Sequence, residues 1–157
     1  MARRQDRAGR PVSEPKASEP DNRASRTAGR PPKAAARSVV DEYFDRLLAH
    51  DWDGLAATLA PDVVRVGPFG DTYSGRDAHV AFIAGLMPRL PGYSMERSRS
   101  IDAGDAVAVE LTEVVEVGGA PIRTPEALVF DLDGDGLIAR ITIYTQHLGQ
   151  EVPDLAR

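Results

Sequence analysis

Two glutamates interrupt two runs of alternating apolar residues, and their spacing could do chemistry. Val107, Val109, Leu111, Val115 and Val117 share one face of a predicted strand, with Glu113 as the interruption. Ile122, Thr124, Leu128 and Phe130 repeat the pattern on the next run, with Glu126 as its interruption. If Gly118-Gly119 forms a two-residue turn, Val117 faces Ala120, Glu113 faces Thr124 and Glu126 faces Leu111. The glutamates are then diagonal neighbours on one face, with backbones roughly 7–8 Å apart. Two carboxyl groups in an apolar cavity raise each other's proton affinity, and desolvation adds to the effect. One can stay protonated as an acid while the other works as a base. The competing reading is a pair of sheet-face glutamates at a dimer interface or cavity rim, held by Arg97, Arg99 or Arg123. Glu110 and Glu116 fall on the opposite face and read as solvated.

His79 is the third candidate. With Phe82, Ile83, Leu86 and Met87 it completes an i, i+3, i+4, i+7, i+8 stripe on a predicted helix. It reads either as a core histidine bonded to a carbonyl or as a catalytic or ligand-contacting group. His50 ends the first predicted helix, where it favours the dipole and the exposed carbonyls, and His147 follows the last strand. No two of these histidines have metal-ligand spacing, so neither a metal nor another cofactor is expected. The run from Asp131 to Gly136 imitates the start of a calcium loop, but its twelfth position is Thr142 and strands flank it. It is expected to be a hairpin turn. Trp52, Phe69, Tyr73 and Phe82 are core or pocket-wall aromatics. They suit a ligand that is apolar or aromatic with a few oxygens.

The elements that must hold these residues follow from periodicity. Val40, Tyr43, Phe44, Leu47 and Leu48 mark one buried face of a first helix, with Ser38 as its cap and Asp41 as the capping-box acid. A tight turn at 51–54 leads to a short helix over 55–59 and a strand over 62–66. A Gly/Pro loop over 67–75 then opens a third helix at Ser74. Four runs rich in β-branched residues, 93–101, 106–117, 121–132 and 137–145, predict strands joined by hairpins. Three helices followed by a curled antiparallel sheet give an α+β class, with helices covering one concave face.

Composition limits the function classes. The chain has 157 residues, 42% of them hydrophobic, enough for one domain with a real core. Residues 1–37 hold ten Lys/Arg and four Asp/Glu, whereas 38–157 hold nine and twenty. So acidic a domain argues against a nucleic-acid-binding face on the folded part. The absence of cysteine excludes disulfides, thiolate chemistry and sulfur metal sites. No apolar run is long enough to cross a membrane, and the N-terminus lacks a secretory h-region, so a soluble cytoplasmic protein is expected. Residues 1–37 contain five prolines and no Leu, Ile, Phe, Trp or Tyr, which predicts a disordered basic tail. Within it Ala8-Gly9-Arg10-Pro11 recurs as Ala28-Gly29-Arg30-Pro31. This resembles a minor-groove AT-hook without the arginine before the glycine, and a solvated linker is the preferred reading. The expected organisation is a tail over 1–37, a domain over 38–150 and a flexible C-terminus over 151–157.

The ordered part resembles the nuclear transport factor 2-like superfamily, in its SnoaL-like, limonene epoxide hydrolase-like and ketosteroid isomerase-like branch. The likeness rests on Val39-Val40-x-x-Tyr43-Phe44, the run from Asp51 to Leu55, Asp62-Val63-Val64, Gly75-Arg76-Asp77-Ala78 and Pro125-x-Ala127-x-Val129-Phe130. It implies a cone-shaped α+β barrel with an apolar cavity, dimerised through its sheet. By the same resemblance Tyr43 matches the tyrosine that donates to the oxyanion in ketosteroid isomerases, and Glu113 matches one carboxylate of the epoxide hydrolase set. Other catalytic positions of the superfamily fall at Gly67, Leu111, Leu128 and Ile143, which makes the last three pocket residues. The function that follows is acid/base chemistry without a cofactor on a small apolar oxygenated molecule: isomerisation, cyclisation, hydration or hydrolysis. The alternative is a non-catalytic small-molecule-binding or dimerisation module.

Overall fold

The computed structural model describes residues 33–146. The order is α1 (Lys33–Leu48), α2 (Trp52–Ala57), β1 (Leu59–Val66), β2 (Thr72–Ser74), α3 (Arg76–Leu86), a 3₁₀ turn (Met87–Arg89), β3 (Ser94–Asp102), β4 (Ala106–Val117), β5 (Ala120–Leu132) and β6 (Ile138–Thr145). The AT-hook-like repeat, His147 and the C-terminal segment lie outside the described residues. No helix among the described residues is long and apolar enough to cross a membrane.

The strands form one curved, unclosed six-stranded sheet in the order β2-β1-β6-β5-β4-β3. It departs from the expectation in two ways. It does not close on itself, and β2 and β3 are its edges. It is also mixed, because β1 pairs with β6 in parallel, Val64 beside Arg140 and Val66 beside Thr142. The chain between those two strands, with α3 and four strands, is far longer than the crossover a parallel pair needs. The short β2 was not foreseen. It lies inside the Gly/Pro loop and pairs with β1 through Val64–Ser74 and Val66–Thr72.

The long hairpin follows the expected register. Twelve pairs run from Val117–Ala120 to Ala106–Asp131 without a slip, placing Glu113 opposite Thr124 and Glu126 opposite Leu111. Gly118 and Gly119 have φ of +62° and +81°, the left-handed pair that a two-residue turn matching strand twist requires. In the next turn the Asp133 carboxylate accepts from the amides of Asp135 and Leu137 at 3.0 and 2.9 Å, a local cap of a hairpin bend.

All three helix starts differ from the sequence reading. Helix α2 begins at Trp52 rather than Leu55, because the Asp51 carboxylate accepts from the Gly54 amide at 3.0 Å and caps it, and Leu59 already belongs to β1. Helix α1 begins at Lys33, so Ser38 sits inside it and Asp41 reaches sideways, to Arg97 at 2.9 Å. The Ala34-Ala35-Ala36 run carries the helix back past the polar residue that looked like its cap. Helix α3 starts at Arg76 with Gly75 as its cap, while Ser74 ends β2. Arg76 then ties the helix to the sheet, its Nε donating to the Leu59 carbonyl at 3.0 Å.

The core lies between the helices and the concave face. Val40, Phe44, Leu55, Leu59, Val63, Val107, Val109, Phe130, Ile138 and Ile141 are essentially inaccessible. Tyr43, Phe44 and Phe130 form an edge-to-face cluster with centroids 5.4–5.6 Å apart. Burying each such ring contributes roughly 1.5–3 kcal/mol.

Candidate active site

Beyond that packed zone the helices and sheet diverge and leave a cavity of about 550 Å³. Its walls come from α1 (Tyr43, Phe44, Leu47), α3 and the following turn (Phe82, Ile83, Leu86, Met87), and the sheet (Arg65, Met95, Val115, Leu128, Ile143). Into this apolar shell project Glu113, Thr124 and Glu126 of the hairpin, Thr145 of β6, Tyr93 just before β3, and Tyr43.

The two glutamates are on one wall, as their register requires. The arginines that could have neutralised them are engaged elsewhere: Arg97 with Asp41 and Asp45, Arg99 with Glu110, and Arg123 with Glu96. Neither Glu113 nor Glu126 makes an ion pair among the described residues. The wall instead distinguishes between them. Glu113 Oε1 accepts from the Tyr93 hydroxyl at 2.6 Å. Burial, reinforced by the Glu113 charge, raises the Tyr93 pKa far above the usual phenol range, so Tyr93 stays a donor. For Glu126, desolvation and then the Glu113 charge push the carboxyl from 4.5 up to about 7. One carboxyl accepts from Tyr93, and the other holds a proton near neutral pH.

Tyr43 lines the cavity and is almost wholly buried, which likewise raises its hydroxyl pKa, with burial the main cause. Its oxygen lies 3.1 Å from His79 Nε2. His79 is fully buried behind Tyr43 and does not line the cavity. Its partner is a phenol rather than the carbonyl that a core histidine was expected to find. Burial, aided by the positive charge of Arg65, lowers its pKa to about 4, so it is neutral at physiological pH.

Phe69, Tyr73, Phe82, Leu128 and Ile143 line the cavity, with Phe69 exposed at its mouth. Trp52 and Leu111 do not. The Trp52 ring stacks on His50, 5.2 Å away and tilted by 18°. Leu111 is buried in the core cluster, nearer the hairpin base than Glu113. Its alternation puts it on the inward face, but on β4 the cavity lining begins only at Glu113, whereas on β5 it reaches Glu126 and Leu128.

Three residues were missed. Arg65 is nearly buried, pairs with Asp71 at 2.8 Å, and lies over the Phe82 ring at 4.8 Å. Its signal was available, since Arg65 shares the inward face of β1 with Val63. Asp71 reaches Arg65 by folding over Gly67, where any side chain would collide with its carboxylate. That contact is invisible without the loop. Tyr93 shares the face of Met95, which pairs with Glu113, so the strand pattern pointed to it as well. Among the described residues no three His, Asp or Glu side chains converge as a metal site would need.

Comparison with known proteins follows this geometry. Residues 40–141 match the SnoaL-like domain family. Epoxide hydrolase LasB of Streptomyces lasalocidi is 33% identical over 121 residues, which is 72% of this chain but 42% of that protein. The chain thus spans less than half the length of this relative. An LEH-like epoxide hydrolase of Mycobacterium tuberculosis superposes with a TM-score of 0.65 at 23% identity, covering 74% of this chain and 86% of that one. A candidate ketosteroid isomerase of Kribbella flavida gives 0.64 at 24% identity, covering 77% and 84%. At such identities these two structures speak to the fold.

Proposed function

The chain belongs to the SnoaL-like domain family, and from that premise we propose that it opens an epoxide on a small apolar molecule by hydrolysis. One observation carries the reading: two inequivalent carboxyl groups share the wall of an apolar cavity, and neither is paired with a cation among the described residues. Epoxide opening needs a base for the attacking water and an acid for the departing oxygen. Glu113 is the base. Tyr93 holds one of its oxygens, and the side chain lines the cavity where the attacking water would sit. Glu126 is the acid, because its carboxyl retains a proton close to pH 7.

In the reaction the Glu113 carboxylate takes a proton from water as the water oxygen bonds to one epoxide carbon. The opposing C–O bond breaks, and its oxygen takes the proton of Glu126. The product is a vicinal diol, and one proton returns from Glu113 to Glu126 through solvent to close the cycle. Tyr43 hydrogen-bonds the epoxide oxygen and stabilises the charge that develops there. The aromatic and aliphatic walls bind the remainder of the substrate and exclude bulk water. The likeness to an epoxide hydrolase at 33% identity supports this choice over isomerisation, for which the neighbouring structure offers only a shared fold.

A second reading has its own observation. The other catalytic positions implied by the superfamily resemblance carry Gly67, Leu111, Leu128 and Ile143, which suits a protein that binds without reacting. One experiment separates the two. The protein is incubated with styrene oxide and limonene oxide in ¹⁸O-labelled water, and diol formation is followed by mass spectrometry. Labelled diol from the native chain, and none from Glu113→Gln, is the expected result. Thermal stabilisation by the epoxides without diol would replace the enzyme with a binder.

A further inference from the structure

We propose that His79, from behind the cavity wall, acts as a positioning residue that donates its Nε2 proton to Tyr43 and thereby turns the Tyr43 hydroxyl hydrogen into the cavity. The hydroxyl is then a committed donor for an ether, epoxide or carbonyl oxygen. The inference deepens the reading of the cavity as a reaction chamber.

A neutral imidazole carries one N–H and one bare nitrogen. Among the described residues Tyr43 Oη has one hydrogen-bond partner, His79 Nε2 at 3.1 Å. His79 Nδ1 is buried with no hydrogen-bond partner. Two arrangements satisfy the Tyr43–His79 contact. If Tyr43 donates, the imidazole proton sits on Nδ1, and an N–H is sealed in the core with no acceptor. Orphaned buried N–H groups are the rarest defect in folded proteins. If His79 donates, Nδ1 is a bare acceptor, the milder vacancy. The Tyr43 hydrogen then points where a ligand can accept it, because Tyr43 lines the cavity and has no protein acceptor. A donor that itself receives a hydrogen bond is polarised by it, so His79 also strengthens what Tyr43 offers.

His79 is well placed for this fixed role. It lies on α3, whose start is tied to β1 by Arg76, and its backbone amide bonds to the Gly75 carbonyl at 3.0 Å. The Tyr43 and His79 rings lie 6.0 Å apart with a tilt of 31°, in contact across the α1–α3 seam. The charged groups acting on the pair are Arg65 and Glu113.

The test uses the full chain with ¹⁵N-labelled histidine. The ring nitrogens of His79 are identified as the signals missing from His79→Phe. A protonated Nε2 and a bare Nδ1 are expected throughout pH 6–8. A protonated Nδ1 would overturn the proposal, and this measurement decides it whether or not any epoxide is turned over. A second measurement reads Tyr43 directly. 4-tert-Butylcyclohexanone is bound, and its carbonyl stretch is recorded by infrared difference spectroscopy. The expected stretch is lowest in the native chain, higher in His79→Phe and highest in Tyr43→Phe. A stretch equal in the native chain and Tyr43→Phe, and lower in His79→Phe, would mean that Tyr43 donates to His79 and would sink the inference. A purely structural histidine would alter affinity without this ordering.

Discussion

The β4–β5 hairpin has two halves that share one alternation and do opposite things. At its open end Val107, Val109 and Phe130 pack against α1 and the ring of Phe44, with no room for water. Towards the tip the same face carries Glu113, Thr124 and Glu126, and an open cavity separates it from α1 and α3. The backbone does not distinguish the halves, because the twelve pairs run without a slip. The difference lies in what covers them. Tyr43 marks the border, touching Phe130 on one side and the cavity on the other. A regular strand can thus serve as scaffold and reaction surface at once, provided the covering helices stand off from one part of it. The packed half makes the hairpin rigid, and the rigid hairpin fixes the spacing of two carboxyl groups.

The largest expected effect is in the packed half. Phe130→Ala removes a ring that contacts both Tyr43 and Phe44, and should cost about 3–5 kcal/mol of stability in urea unfolding. A much smaller loss would mean that the core end is as loose as the cavity end. In the open half the effect should fall on rate instead. Glu113→Gln is expected to lower epoxide turnover by about 10²–10⁴-fold with little change in unfolding midpoint. If it unfolded the protein while sparing turnover, the contrast between scaffold and surface would be wrong.

That contrast also explains what the sequence made legible. Period-two alternation reports which face of a strand points inward, so the glutamate pair, the turn at Gly118-Gly119 and the hairpin register could all be read. Alternation does not report what lies opposite. Leu111 and Leu128 look alike in sequence and both belong to the core cluster, yet only Leu128 also lines the cavity. Helix faces were readable apart from Leu48, which was expected on the buried face of α1 and is exposed at its end, but helix ends were not, and α1 runs back past Ser38 on alanines of high propensity. The Arg65–Asp71 pair depends on a loop closing over Gly67, a contact that no local pattern encodes.

A third expectation concerns pH. Glu126 binds its proton more tightly in the folded chain, at about 7, than at the ordinary 4.5. Below 4.5 it is neutral in both states and costs nothing. As pH rises towards 7 the unfolded chain ionises first, and stability falls. Above 7 a charge stands on the apolar wall and the penalty is complete. Glu126→Gln should therefore stabilise the protein by roughly 1–2 kcal/mol at pH 8, after allowing for solvent screening at the open side of the cavity, and by much less at pH 5. Paired urea titrations at the two pH values measure the difference. An equal effect at both would show that Glu126 meets water rather than the cavity.

The smallest effect sharpens the border between the two regions from outside. Trp52 is the chain's one tryptophan and has the size of a substrate platform, but its indole stacks on His50 at the α1–α2 corner, away from the cavity. Replacing it with phenylalanine keeps an aromatic partner for His50 and loses part of the packing against the core. Trp52→Phe should lower stability by about 1 kcal/mol, a typical single-substitution cost, and leave epoxide turnover unchanged. Turnover under saturating epoxide, measured beside a thermal melt, gives both numbers from one preparation. A drop in turnover without a drop in stability would extend the reaction surface around the corner of α1. Unchanged turnover would confine it to the wall that Tyr43, Glu113 and Glu126 share.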